Sequence, residues 1–147
     1  MELLSYRPAA EQDVPLLAAW HADPEVSRYW DDETFTEDEV RARLARARVD
    51  HWILEEAGEP VGFLQSWWEE DEPRRGGLDG FLVPAARGRG IMPALARQLA
   101  RRLLDEGWAE VTVDPYVWNE QAIRAWTRAG FVEVSRDDQV VLMRFRG

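Results

Sequence analysis

The chain has no cysteine among its 147 residues. That excludes disulfides, thiolate metal sites and a cysteine nucleophile. It is poor in histidine, and His21 and His51 stand alone, without the spacing of a metal site, so both read as structural and no metal is expected. No apolar run approaches the length of a membrane span, and Arg7-Pro8 interrupts the early apolar segment where a secretory signal would lie. The expectation is a cytoplasmic protein with no membrane partner. Basic charge is also short: 18 basic residues face 28 acidic ones, for a net charge of -10. Nucleic acid is therefore an unsuitable partner, whereas a cationic small molecule suits the negative field. Repeats, low-complexity tracts and linkers are absent too, so residues 1–147 read as one domain.

What is abundant is tryptophan, with eight residues. Flat amphipathic rings can fill a core or line a pocket for a ring-shaped or cationic ligand. The pattern of elements is mixed. Strands are expected at Leu3 to Arg7, Trp52 to Glu56, Val61 to Trp68, Leu78 to Val83, Val111 to Val113, Phe131 to Ser135 and Val140 to Phe145. Helices are expected after Asp13, after the capping-box pair Thr36 and Glu39, from Pro93 to Gly107, and from Asn119 to Gly130. The second of these would place Val40, Leu44 and Ala47 on one face, and Asp23 to Glu33 would be a loop. This is an α+β fold: a central, twisted, mixed but mostly antiparallel sheet of six to seven strands flanked by about four helices.

The most informative stretch is Arg87-Gly88-Arg89-Gly90-Ile91, between a strand and the helix that Pro93 opens. A strand, a glycine-rich turn and a helix N-terminus together leave backbone N–H groups unpaired, in a form suited to phosphate. Arg87 and Arg89 flank the loop, and solvated arginines are the bland alternative for them. On the preceding strand Asp79 alternates onto the face opposite Leu78 and Gly80. A carboxylate in mid-sheet needs a partner, so Asp79 is a candidate base or amine anchor. Glu69-Glu70-Asp71-Glu72 beside Trp67 and Trp68, and Asp31-Asp32-Glu33 beside Tyr29 and Trp30, are acidic and aromatic clusters fit for a polyamine, or else solvated faces.

Two motifs in order resemble those of the GNAT N-acetyltransferases. The signature Arg/Gln-x-x-Gly-x-Gly/Ala is matched from Arg87 to Ile91, with Met92 in place of the last glycine. Asn-x-x-Ala-Ile-Arg-x-aromatic-x-x-x-Gly-Phe is matched from Asn119 to Phe131. The likeness extends over nearly the whole chain and is closer to the aminoglycoside 6'-N-acetyltransferases. It implies an acetyl-coenzyme A-dependent enzyme that acetylates a primary amine of a cationic small molecule, the 6' amine of an aminoglycoside, and so an antibiotic-resistance activity. It implies donor contacts from Phe81, Leu82, Val83, Arg87, Gly88, Arg89, Gly90, Ile91, Met92 and Asn119, with the amides of Leu82 or Val83 facing the thioester oxygen. It implies Asp79 as general base and Asp114 as a holder of the acceptor. From the acidic and aromatic clusters themselves, Tyr29, Trp30, Trp67, Glu69 and Glu70, together with Tyr116, are expected on the acceptor side. Trp126 stands where the family often has a tyrosine that acts as acid, and Tyr116 or water would replace it. A hydroxylysine-type siderophore acyltransferase and a non-catalytic acyl-coenzyme A sensor are the alternatives, and either a monomer or a homodimer is compatible.

Overall fold

The computed structural model describes residues 3–147. Among them the strands are β1 (Leu4–Pro8), β2 (Val49–Glu56), β3 (Glu59–Asp71), β4 (Arg74–Leu82), β5 (Glu110–Val113), β6 (Phe131–Arg136) and β7 (Val141–Phe145). The α-helices are α1 (Val14–Ala22), α2 (Pro24–Ser27), α3 (Glu37–Leu44), α4 (Ile91–Asp105) and α5 (Glu120–Ala129). The strands form one mixed sheet in the order β1-β2-β3-β4-β5-β7-β6. The β4–β5 pair is parallel, and β1–β2, β5–β7 and β6–β7 are antiparallel. The mixed sheet of six to seven strands expected from the sequence is therefore present, with seven strands. None of the described helices is long and apolar enough to cross a membrane. The chain clusters into two compact units, one reaching Gln65 and including Gly80–Arg89, the other comprising Ser66–Asp79 and Gly90–Gly147.

The first unit is built on a core of Val14, Leu17, Val26, Val40, Ile53, Phe63 and Phe81. Its helices enter through specific caps. Thr36 Oγ1 accepts from Glu39 N at 3.2 Å and Glu39 Oε1 accepts from Thr36 N at 2.9 Å, the reciprocal box expected for α3. That helix ends at Leu44, so Ala47 lies outside it and is exposed; Arg48 beyond it takes a left-handed φ of 63°. Asp13 does not cap α1 through its side chain. Its carboxylate instead accepts from Ala10 N at 2.8 Å and from both Arg7 Nη atoms at 2.8 and 2.9 Å. The Arg7 hydrogen bonds hold that carboxyl below the usual range. The stretch expected as a loop contains α2, because Asp23 accepts from Glu25 N at 2.9 Å and Pro24 presets the first turn.

In the second unit α4 buries Ile91, Leu95, Leu99 and Leu103, with Ala96 and Ala100 between them. Each such large aliphatic contributes about 1.5–3 kcal/mol relative to exposure. Gly107 follows at φ 106°, where a left-handed residue ends the helix. The β3–β4 hairpin is longer than the sequence suggests: β3 continues to Asp71 and β4 begins at Arg74, leaving Glu72 and Pro73 as the turn. At the β6–β7 turn, Asp137 Oδ1 accepts from Gln139 N and Val140 N at 2.7 and 2.8 Å.

Candidate active site

After β4 the chain makes a single 3-10 turn at Pro84–Ala86 and then two left-handed steps, Gly88 at φ 78° and Gly90 at φ 77°. Left-handed φ is costly for residues with a Cβ, so these two positions need glycine. A Cβ on Gly88 would meet no atom within 4 Å, so conformation rather than crowding sets the requirement. Gly90 is the N-cap of α4, and its carbonyl accepts from Ala94 N at 3.2 Å. The N–H groups of Gly88, Arg89, Gly90, Ile91 and Met92 have no acceptor among the described residues. Pro93 falls third in the helix, where its missing N–H has no intrahelical role. Met92 is helical all the same, so the departure from the signature leaves the nest intact. The side chains of Ile91 and Met92 are buried; only their amides can serve a ligand.

Neither loop arginine extends freely from this nest. Arg87 Nε donates to Leu82 O at 3.2 Å, Arg87 Nη2 donates to Glu25 O, and the guanidinium lies 5.2 Å from the Tyr29 ring centroid. It acts as a strut between β4, the loop and α2. Arg89 Nη1 donates to Glu56 Oε2 at 2.8 Å in an exposed pair of small net worth.

One residue past β4 the Val83 amide is already engaged, donating to Val61 O at 2.9 Å. That removes Val83 as an oxyanion donor. By the alternation of a strand, the Leu82 N–H points to the opposite edge. The pairing of β4 with β5 runs only from Arg75↔Glu110 to Gly77↔Thr112. Asp79 follows, half-buried, on the same face as Gly77 and Phe81. Trp67 covers Gly77, its Cζ2 within 2.9 Å of a hypothetical Cβ there. Trp67 and Asp79 thus share one face of the sheet. Trp68 points elsewhere, packed edge-on to Trp108 and stacked with Arg74 at 4.0 Å. Glu69 and Glu70 are exposed at the end of β3, and Glu70 is 3.9 Å from Arg75.

Beyond β5, the segment with Asp114, Tyr116 and Asn119 is pinned by Val141 N to Pro115 O and Val117 N to Gln139 O, at 2.9 and 2.8 Å. Asp114 is exposed at its start. Tyr116 stacks on Trp118, with centroids 5.2 Å apart and planes 11° from parallel. Asn119 Oδ1 caps α5 by accepting from Ala122 N at 3.1 Å, and its amide nitrogen keeps both donors available. Trp126 is buried edge-on to Phe131, so it is a core residue.

Tyr29 and Trp30 part company in the same way. Tyr29 lies under Arg87 and Arg28, whereas Trp30 is locked edge-on to His21, Phe63 and Phe81. Phe81 belongs to the same aromatic cluster, so its side chain is core. Burial, then the Arg43 charge, brings His21 down to about 4; burial, Arg43 and Arg46 do the same for His51. Both histidines are structural, as expected, and line a cavity of about 20 Å³ with Trp30, Phe35, Phe63 and Gln65.

One residue near the loop escaped the sequence reading: Arg128 of α5, whose Nη2 lies 3.7 Å from a hypothetical Cβ on Gly90. Its only sequence signal is its place two residues before Gly130 in the second motif, which by itself does not reveal a contact with Gly90.

A family model described as an acetyltransferase (GNAT) domain matches residues 9–138. A comparison with curated protein sequences gives no match. Among solved structures, the chain is similar to AAC(6')-Ib in complex with paromomycin and acetyl-coenzyme A, at 28% identity and a TM-score of 0.83, over 97% of this chain and 92% of that one. It is also similar to the aminoglycoside acetyltransferase AAC(6')-Ib in complex with coenzyme A and kanamycin, at 27% identity and a TM-score of 0.80, over 97% and 95% of the two chains. Spermidine N-acetyltransferase from Vibrio cholerae, in complex with coenzyme A and spermine, shares the fold at 15% identity and a TM-score of 0.83, over 98% and 94%.

Proposed function

This chain belongs to the GNAT acetyltransferase family, whose members are acetyl-coenzyme A-dependent N-acetyltransferases, and from that premise we propose that its acceptor is the 6' amine of an aminoglycoside. The observation that carries the choice of acceptor is the near-full-length similarity to an aminoglycoside acetyltransferase. The net charge of -10 supports it, because a polycationic acceptor is drawn to such a surface.

The amides of Gly88 to Met92 hold the donor's pyrophosphate, and the Asn119 amide donates to its pantetheine arm. Bound acetyl-coenzyme A supplies a thioester already activated towards amines. Asp79 takes the proton that the acceptor ammonium must lose, through a water, because a carboxylate in direct contact would stabilise the ammonium. The neutral amine then forms the N–C bond as the C–S bond breaks. The Leu82 N–H faces the oxygen on which negative charge develops. Nitrogen sheds its second proton to water as the amide forms, and Tyr116 or water protonates the departing thiolate, since the indole N–H of the buried Trp126 is far too weak an acid to do so. Asp114, Trp67, Glu69 and Glu70 hold the remaining ammonium groups and sugar faces of the acceptor. Acetylation removes one positive charge from the drug and so weakens its grip on phosphate.

Coenzyme A release measured across aminoglycosides, polyamines and lysine derivatives tests this reading. The expected result is the highest kcat/KM for aminoglycosides with a 6' amine and no release with a 6' hydroxyl analogue. Preferred turnover of a hydroxylysine derivative would reassign the acceptor. Tight donor binding with no turnover on any amine would reassign the protein as a sensor.

A further inference from the structure

Arg87 bonds to the carbonyls of Leu82 and Glu25, and Arg89 pairs with Glu56. The phosphate nest is thereby left without a side-chain cation from its own loop. The guanidinium that faces Gly90 comes from Arg128, in the last turn of α5. It is exposed and has neither a carboxylate nor a carbonyl partner among the described residues. Some exposed arginines are paired among the described residues, as Arg102 is with Glu106 at 3.0 Å and Arg136 with Glu133 at 2.7 Å, and others such as Arg101 and Arg124 are not; Arg128 is set apart by lying against Gly90. An unpaired guanidinium beside unpaired N–H groups and the positive end of α4 sets like partial charges together. Only an anion between them turns that repulsion into attraction.

We propose that Arg128 contacts a phosphate of the donor and supplies the charge that the loop arginines do not. This rests on the reading that the Gly88–Met92 amides bind coenzyme A. A bland role for Arg128 exists, since a cation in the last turn of a helix favours its macrodipole. The two roles separate in a binding experiment.

Calorimetric titration of coenzyme A into the wild type, Arg128→Gln, Arg128→Lys and Arg101→Gln is the test. Arg101 is an exposed arginine of α4 that controls for net charge. Arg128→Gln should weaken binding about tenfold, as expected for one charge-assisted hydrogen bond. Arg128→Lys should recover part of the loss, and Arg101→Gln should match the wild type. The rise of Kd with salt should be shallower in Arg128→Gln, since one screened attraction has gone. Titration with 3'-dephospho-coenzyme A identifies the phosphate. A loss that persists places Arg128 on the pyrophosphate; a loss that disappears places it on the 3' phosphate. Equal affinity of Arg128→Gln and the wild type, or an equal loss in Arg101→Gln, would overturn the inference while leaving the donor site standing. No binding by the wild type would overturn the donor reading itself, and this inference with it.

Discussion

At the start of α4 the groups proposed to act are main-chain amides, from Gly88 to Met92, whereas along the β3–β4 hairpin they are side chains: Trp67, Glu69, Glu70 and Asp79. The first region is fixed by two left-handed glycines and a helix end. The second is fixed by strand alternation, which decides only the face each side chain takes. A backbone site offers the same donors whatever its side chains are. A side-chain site changes its chemistry with every substitution. In an acyltransferase these properties suit a constant donor and a variable acceptor.

The sharpest way to test that division is Asp79→Asn. Removing a general base costs roughly 100- to 10,000-fold in turnover. The affinity for coenzyme A should be unchanged by calorimetry, because no amide of the nest has moved. Unchanged turnover would show that Asp79 is not the base. Gly88→Ala should do the converse. The left-handed φ of 78° costs about 1 kcal/mol for alanine. Relaxing it re-aims charge-binding N–H groups, so donor affinity should fall about tenfold. Turnover at saturating donor should stay near that of the wild type.

These regions were not equally legible in the sequence. The nest, the Thr36–Glu39 box, the Asn119 cap and the aliphatic stripe of α4 are local: each depends on residues within a few positions of one another, so spacing reveals them. Arg87, Arg128 and Trp30 show the opposite. Arg87 sits in the loop but turns away to Glu25, sixty-two positions earlier in the chain. Arg128 reaches Gly90 from a helix that begins thirty residues later. Trp30, expected on the acceptor side beside three acids, packs edge-on against the rings of His21, Phe63 and Phe81. Long-range pairing decides each of these cases, and no periodicity encodes it. The short helix α2 was missed for a different reason: four residues are too few to show a stripe.

Side chains titrate and main-chain amides do not, which gives a further test. His21 and His51 take up a proton in the unfolded chain near pH 6.5, but in the folded protein only near 4. The unfolded state therefore binds more protons in that window, and stability falls as pH drops from 6.5 towards 4. Urea unfolding across this range should show the slope. His21→Phe should flatten it, and it should fold well, since the buried His21 Nδ1 has no hydrogen-bond partner among the described residues. A slope unaltered by His21→Phe would count against burial as its cause. The smallest effect belongs to the acidic strand end. Glu70→Gln should raise the acceptor KM by no more than about threefold, as for an exposed charge pair. That rise should vanish in high salt.

The proposed donor site depends on the Gly88–Met92 amides gripping the donor's phosphates. An amide-resolved ¹⁵N–¹H spectrum recorded during titration with coenzyme A tests it most directly. The cross-peaks of Gly88, Arg89, Gly90, Ile91 and Met92 should move together and saturate with the binding isotherm. Binding that leaves those five peaks in place while others shift would contradict it.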